Sequence, residues 1–213
     1  MRASGRPTLV IFVKVPRAGR VKTRLGREIG MTTAAWWFRH QVARLIRRVG
    51  HDRRWRTVLA VAPDHEGLAS RALPAGLPRW PQGQGDLGDR MGRALRALGP
   101  GPVAIVGADV PGITAAHVAR AFSALGRADL VFGPASDGGY WFVGCRGAHV
   151  LPRTLFRDVR WSTEHALADT QRSAGPVPVA MIDPLDDVDA AADLHRQGCV
   201  TRDAPDAMSR NTP

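Results

Sequence analysis

Lysine is almost missing from this chain: Lys14 and Lys22 stand alone in 213 residues, against 28 arginines. Cysteine is equally scarce. Cys145 and Cys199 form neither a disulfide framework nor a metal-ligand spacing, so the pattern is that of an internal protein with two incidental thiols. Long apolar runs are absent too. Leu9 to Val13 is the longest near the start, far short of the roughly 20 residues a membrane-spanning helix needs. Arg2 and Arg6 ahead of that run imitate a secretory signal, but Lys14 interrupts it and no small-residue cleavage site follows, which predicts a cytoplasmic protein. The loop that directly follows the first apolar run, Pro16 to Leu25, carries neither the P-loop spacing GxxxxGK(S/T) nor the dinucleotide fingerprint GxGxxG.

Acidic residues are also missing where basic ones gather. Residues 1 to 60 hold fifteen basic and two acidic side chains, while the remaining 153 are nearly balanced. Such asymmetry suits docking of a polyanion, a phosphate chain or a nucleic acid. It equally suits arginine-decorated solvated surface. The two lysines differ from the arginines in falling within one nine-residue stretch.

Short apolar runs alternate with helical patterns. Leu9–Val15, Thr57–Ala62, Val103–Val106, Leu130–Phe132, Tyr140–Val143 and Val177–Ile182 read as strands. Helices are expected over Thr33–Val49, Leu87–Leu98, from the N-cap Thr114 to Leu125, over Thr163–Gln171 and over Asp189–His195. The inward face of the second is read as Leu87, Met91, Ala94, Leu95 and Leu98. This alternation predicts one three-layer α/β domain over residues 1–201, a mostly parallel sheet with helices on both faces and one antiparallel strand, then a polar tail over 202–213.

Ligands of open α/β sheets bind beyond the carboxyl ends of the strands. Four polar clusters follow strands here. Pro16 to Leu25 offers Arg17, Arg20, Lys22, Thr23 and Arg24 to an anion; with Gly19 as its one glycine, it would need cationic side chains rather than backbone amides to hold phosphate. Asp109 follows a buried strand directly, and Asp187 and Asp189 follow the last one with Asp183, Asp186 and Asp193 nearby. Carboxylates from two strand ends repel unless a cation sits between them, and Mg²⁺ takes oxygen ligands of this kind. The fourth cluster, Asp137-Gly138-Gly139, is a tight turn or a close backbone approach to a ligand.

Several segments together resemble a known bacterial family. These are Phe12-Val13-Lys14-Val15-Pro16 with Gly19, Lys22-Thr23-Arg24-Leu25, Gln82-Gly83-x-Gly85-Asp86-Leu87-Gly88-Asp89-Arg90-Met91, Gly107-Ala108-Asp109-Val110-Pro111, Asp137-Gly138-Gly139-Tyr140 and Trp161-Ser162-Thr163. They are similar to small GT-A-type transferases associated with radical-SAM enzymes, some of them named arsenosugar-biosynthesis glycosyltransferases, in the nucleotide-diphospho-sugar transferase superfamily. Phospholactate guanylyltransferase is a cousin with a similar Lys-Thr-Arg-Leu loop. The likeness runs from about residue 8 to 195 and implies a GT-A-like fold. It implies nucleotide binding by Lys14, Pro16, Gly19, Lys22, Thr23, Arg24, Gln82, Gly83 and Gly85, with Lys22 and Arg24 on the donor phosphates and the Gln82 loop at the base. It places Mg²⁺ (or Mn²⁺) on Asp109 and Asp189, and the acceptor beside Asp137. The family often writes Asp-x-Asp-Thr-Pro-Glu-Asp-Leu where this chain has Asp187-Val188-Asp189-Ala190-Ala191-Ala192-Asp193-Leu194, so the Pro and one charge are lost.

The expectation is a Mg²⁺-dependent transferase, with Lys22, Arg24, Asp109 and Asp137 as its catalytic set. In the leading version a small phosphorylated or anionic acceptor attacks a nucleoside triphosphate. The alternative donor is a nucleotide sugar, making the chain a glycosyltransferase. A basic nucleic-acid-binding protein is the rival from another class.

Overall fold

The computed structural model describes residues 5–196; Cys199, the expected boundary at 201 and the polar tail lie outside the described residues. Seven strands form one sheet: β1 (Thr8–Lys14), β2 (Arg56–Ala62), β3 (Arg79–Pro81), β4 (Val103–Gly107), β5 (Leu130–Pro134), β6 (Tyr140–Cys145) and β7 (Val179–Met181). Their order is β3-β2-β1-β4-β6-β5-β7, with β6 antiparallel to both neighbours and every other pairing parallel. The one antiparallel strand expected from the Asp137 turn is therefore present, and the fold is the three-layer α/β class read from the sequence.

β1 lies inside the sheet, between β2 and β4, because it is apolar on both faces. Leu9, Ile11 and Val13 enter the core shared with Leu25, Phe38, Val42 and Leu59, while Val10 enters the other with Met91, Leu95, Ile105 and Phe132. That two-residue period is the strand pleat itself. The helices are α1 (Thr23–Ile29), α2 (Met31–Leu45, continued by one π-helical turn to Gly50), α3 (Asp64–Ala69), α4 (Leu87–Ala97), α5 (Ala115–Ala124), α6 (Ala166–Ala174) and α7 (Ala191–Arg196). Among the described residues no helix is long and apolar enough to cross a membrane.

Several local readings need correction. The stretch read as a loop through Leu25 turns into α1 at Thr23; Gly26 and Gly30 keep that helix too short to show a periodic pattern. Leu87 is 43% exposed and lies off the buried face of α4, because it is the first residue of the helix and faces a cavity. The helix expected from Thr163 begins at Ala166, since Thr163 is occupied in a turn through its hydroxyl. The strand expected over Val177–Ile182 shrinks to β7, and α3 and β3 went unread because each is six residues or fewer.

Register brings three strand ends to one edge. Lys14 pairs with Ala62, and Phe12 with Gly107, so β1, β2 and β4 all deliver their following loops there. β6 runs the other way, with Val106 opposite Phe142, and brings the Asp137 turn to the same edge.

Thr114 caps α5 as expected: its hydroxyl accepts the His117 backbone N–H and the His117 ring accepts the Thr114 N–H, each at 3.3 Å. Thr114→Ala is expected to cost about 1 kcal/mol, seen as a lower urea midpoint with unchanged slope. An unchanged midpoint contradicts the cap.

Candidate active site

A cavity of about 920 Å³ opens at that edge, floored by Phe12, Ile105 and Val143. Lys14, Arg20, Lys22, Arg24 and Arg90 line it, as do Asp109, Asp187 and Asp189. Beyond β4, Asp137, Tyr140, Trp161, Thr163 and Glu164 complete the wall. A smaller cavity of about 310 Å³ shares Lys14, Arg20 and Arg90 with it and adds Asp64, Gly83 and Gln84. The expected site residues thus gather in one place, with three exceptions: Pro16, Gly19 and Gly85 line neither cavity. Gly19 instead supplies the positive φ of a turn closed by the Arg20 N–H on the Arg17 carbonyl.

At the centre the Lys22 ammonium donates to three carboxylates, at 2.8 Å to Asp109 Oδ2, 2.9 Å to Asp187 Oδ2 and 2.8 Å to Asp189 Oδ1. Apolar flanks set these carboxylates in place. Ala108 and Val110 are buried on either side of Asp109, and Val188 is buried between the other two, so the aspartates are left at the core's rim facing Lys22. Lys22 itself is in the left-handed conformation (φ 45°, ψ 48°) at the start of α1, a strain on the order of 1 kcal/mol that its ion pairs offset. Its side chain is 7% exposed, whereas Arg24, which reaches Asp189 Oδ2 at 3.2 Å, is 68% exposed. Arg24 and Lys22 therefore bind carboxylates here, where the motif likeness expected donor phosphates.

Electrostatics follow the geometry. Burial acts to lower the Lys22 pKa, but the Asp109 and Asp187 charges and the hydrogen bonds to Asp109 and Asp189 reverse this and hold it above the usual lysine range. Burial raises Asp187 to about 6, the Asp109 and Asp189 charges adding to it against Lys22. Burial also opposes ionisation of Asp189, yet the Lys22 hydrogen bond and charge hold it below the ordinary carboxylate value.

Neighbouring carboxylates hold the segment that carries Asp187 and Asp189. Asp193 Oδ2 accepts the Asp189 and Ala190 N–H groups at 2.9 and 2.8 Å, and Glu28 Oε2 accepts that of Ala191 at 2.9 Å. Among the described residues no set of three acidic, histidine or cysteine side chains is arranged to hold a metal ion as it stands, and the Lys22 ammonium occupies the point at which the three carboxylates converge. The donor set nonetheless fits a hard divalent cation: three carboxylates, no softer ligand, and open cavity beside them for phosphate oxygens and water.

The Gln82 loop is pinned from several sides. The Gln82 side chain lines the main cavity, but its amide donates to the Ala60 carbonyl at 2.8 Å. Arg93 donates to the Gln82 and Gln84 carbonyls, Arg90 to that of Gly85 at 3.0 Å, and Asp64 accepts the Gly83 N–H at 3.1 Å. Sequence reasoning missed Asp64, Arg90 and Arg93 as site-building residues. The visible signal was two arginines three apart on the first turns of a helix that follows a glycine-rich loop.

On the far wall, Asp137 Oδ1 accepts the Gly139 N–H at 2.8 Å. Gly138 (φ +81°) lies so close to Glu164 that a Cβ would stand 2.1 Å from its carbonyl oxygen. Only glycine fits there. Trp161 to Glu164 are held from behind by Asp169, 2% exposed, which accepts from Arg160 at 2.7 and 2.9 Å and from Arg172 at 2.7 Å.

Three solved structures superpose on this architecture. A candidate nucleotide-diphospho-sugar transferase from Desulfovibrio desulfuricans is 25% identical, with a TM-score of 0.78 over 92% of this chain and 89% of that one. The 4-diphosphocytidyl-2C-methyl-D-erythritol synthase of Anaerococcus prevotii is 10% identical (TM-score 0.59; 92% and 96% covered). Rv0371c of Mycobacterium tuberculosis, solved in complex with manganese, is 18% identical (TM-score 0.51; 91% and 97%). The last two share the fold alone. The fold is thus that of the nucleotide-diphospho-sugar transferases, as the motifs implied. No curated protein matches the sequence. Residues 45–163, more than half of the chain, match the family described as uncharacterized protein conserved in bacteria (DUF2064), and the chain belongs to it.

The Arg160 and Arg172 hydrogen bonds outweigh burial and hold the Asp169 carboxyl far below its ordinary value, so it stays ionised in the folded state after it would protonate in the unfolded one. Its stabilisation is complete above about pH 4, the unfolded pKa, and is lost as pH falls from there toward the folded value. Asp169→Asn should lower the urea midpoint at pH 7, with the gap to wild type narrowing below pH 4. A gap independent of pH contradicts the ion-pair account.

Proposed function

We propose that the chain is a nucleotide-dependent transferase whose donor is a nucleoside triphosphate and whose acceptor is a small phosphorylated or otherwise anionic molecule. The observation that carries this reading is the meeting of Lys14, Arg20, Lys22, Arg24 and Arg90 with three converging aspartates in one cavity beyond the strand ends. Cations in that number suit a polyphosphate, and the likeness to a nucleotide-diphospho-sugar transferase supports a nucleotide-using transferase of either donor class.

In this reading an acceptor oxyanion attacks the α-phosphorus, and the bond from that phosphorus to the oxygen bridging to the β-phosphate breaks. The electron pair leaves with pyrophosphate. No proton moves, which agrees with a cavity lined by no histidine. Arg20, Arg24, Arg90 and Lys14 neutralise the phosphates, an effect that counts most where charge develops. The Gln82–Gly85 loop, pinned by Arg93 and Asp64, shapes the nucleotide side. A divalent cation, Mg²⁺ or Mn²⁺, would be held by Asp109, Asp187 and Asp189 and would add charge neutralisation at the phosphates.

One observation favours a second reading, a nucleotide-sugar donor. The cavity wall built from residues 135–166 carries Asp137 and Glu164 and no basic side chain, which suits a hydroxyl acceptor with Asp137 as its base.

Thermal shift against nucleoside triphosphates and nucleotide sugars, with and without Mg²⁺, separates the two. A ligand at 100 times its Kd adds about 2.7 kcal/mol, roughly 5 to 10 °C for a chain of this size. The expected result is a Mg²⁺-dependent shift with one triphosphate that Asp109→Asn abolishes. A shift with nucleotide sugars alone selects the second reading, and no shift with either overturns the donor site.

A further inference from the structure

We propose that Lys22 stands in for the divalent cation: its ammonium holds the three carboxylates while no metal is bound, and metal binding turns it out toward the nucleotide phosphates. Metal and nucleotide then bind cooperatively through one side chain. This rests on the nucleotide-transferase reading for the second ligand only; the exchange of Lys22 for metal stands on the cage itself.

The carboxylates arrive from two segments, one after β4 and one before α7, and all three place an oxygen within 2.9 Å of a single nitrogen. Three ionised carboxylates at this spacing repel one another unless a cation sits among them. Mg²⁺ binds oxygen at roughly 2.0–2.1 Å, so each carboxylate would close in by roughly 0.8 Å around a smaller, doubly charged ion. Ammonium and metal cannot share that point. The displaced ammonium needs an acceptor, because an unpaired buried charge is costly. Its neighbours Lys14, Arg20 and Arg24 are cations, and a polyphosphate in the same cavity supplies the oxygens it lacks. Arg24 already points to where that exchange leads: it reaches Asp189 from an exposed position and can hold that carboxylate as Lys22 leaves.

The coupling is reciprocal by linkage: whatever the metal does to nucleotide affinity, nucleotide does to metal affinity. Removing Lys22 therefore frees the cage in advance. Titration of Mn²⁺ followed by the spin-resonance signal of the free ion, without nucleotide, should show Lys22→Met binding about tenfold or more tightly than wild type. Lys22→Arg, which keeps a cation in the cage, should stay near wild type. Equal or weaker binding by Lys22→Met overturns the exchange. Mn²⁺ affinity indifferent to Asp109→Asn overturns the metal site with it, while leaving nucleotide binding to be judged by thermal shift.

The wild-type chain gives a second measurement that needs no variant. With only two lysines, amine acetylation read by mass spectrometry as fractional occupancy follows Lys22 on its own peptide. Saturating Mn²⁺ should raise the fraction of Lys22 acetylated, and a nucleoside diphosphate added with Mn²⁺ should protect it again. Lys22 labelling unchanged by Mn²⁺ overturns the proposal.

Discussion

The ammonium of Lys22 and the carboxylates of Asp109, Asp187 and Asp189 make the one interaction on which the site depends. It joins the first strand-end loop to the last, across a sequence separation of 167 residues to Asp189. Without it, three negative charges would face one another at the rim of the core. The strained backbone of Lys22, the buried flanks Ala108, Val110 and Val188, and the hydrogen bonds from Asp193 and Glu28 around the last segment all serve this one convergence. A buried ion pair of this kind is weak evidence for stability, because desolvation offsets most of the attraction. Its presence at the ligand-binding edge is better understood as function.

Around that centre the chain fixes its loops with charge-assisted hydrogen bonds in addition to apolar packing such as that of Trp161 beside Phe156. Arg93 holds two carbonyls of the Gln82 loop, and Asp169, through Arg160, holds the Trp161 segment. Arginine satisfies two acceptors with a planar, preorganised group. This gives part of the arginine excess a structural purpose. The rest, such as Arg39, Arg44 and Arg47, lies exposed along α2 and its continuation.

The fold was largely legible. Apolar runs such as Leu9–Val13 and Val103–Val106 can be buried strands and little else at that length, and Asp109 directly after one of them marked the ligand edge. Thr114 was legible as a cap because a hydroxyl before a periodic run has few other uses. The meeting of Lys22 with the carboxylates was not, since the sequence shows a basic loop and an acidic segment as separate features. Only the sheet order, with β1 beside β4, brings them together. Asp187 was legible only as a carboxylate beside Asp189, with the metal expected on Asp109 and Asp189; the burial of Val188 between the two leaves both at the cage. α1 escaped notice because seven residues interrupted by Gly26 carry no readable period.

The central claim is that this cage is the metal-and-phosphate end of a nucleotide site. A crystal structure with Mn²⁺ and a non-hydrolysable nucleoside triphosphate tests it most directly. The account predicts an anomalous manganese peak against Asp109, Asp187 and Asp189, with Lys22 Nζ on a phosphate oxygen. Manganese and nucleotide bound elsewhere, with Lys22 still seated among the three carboxylates, would contradict it.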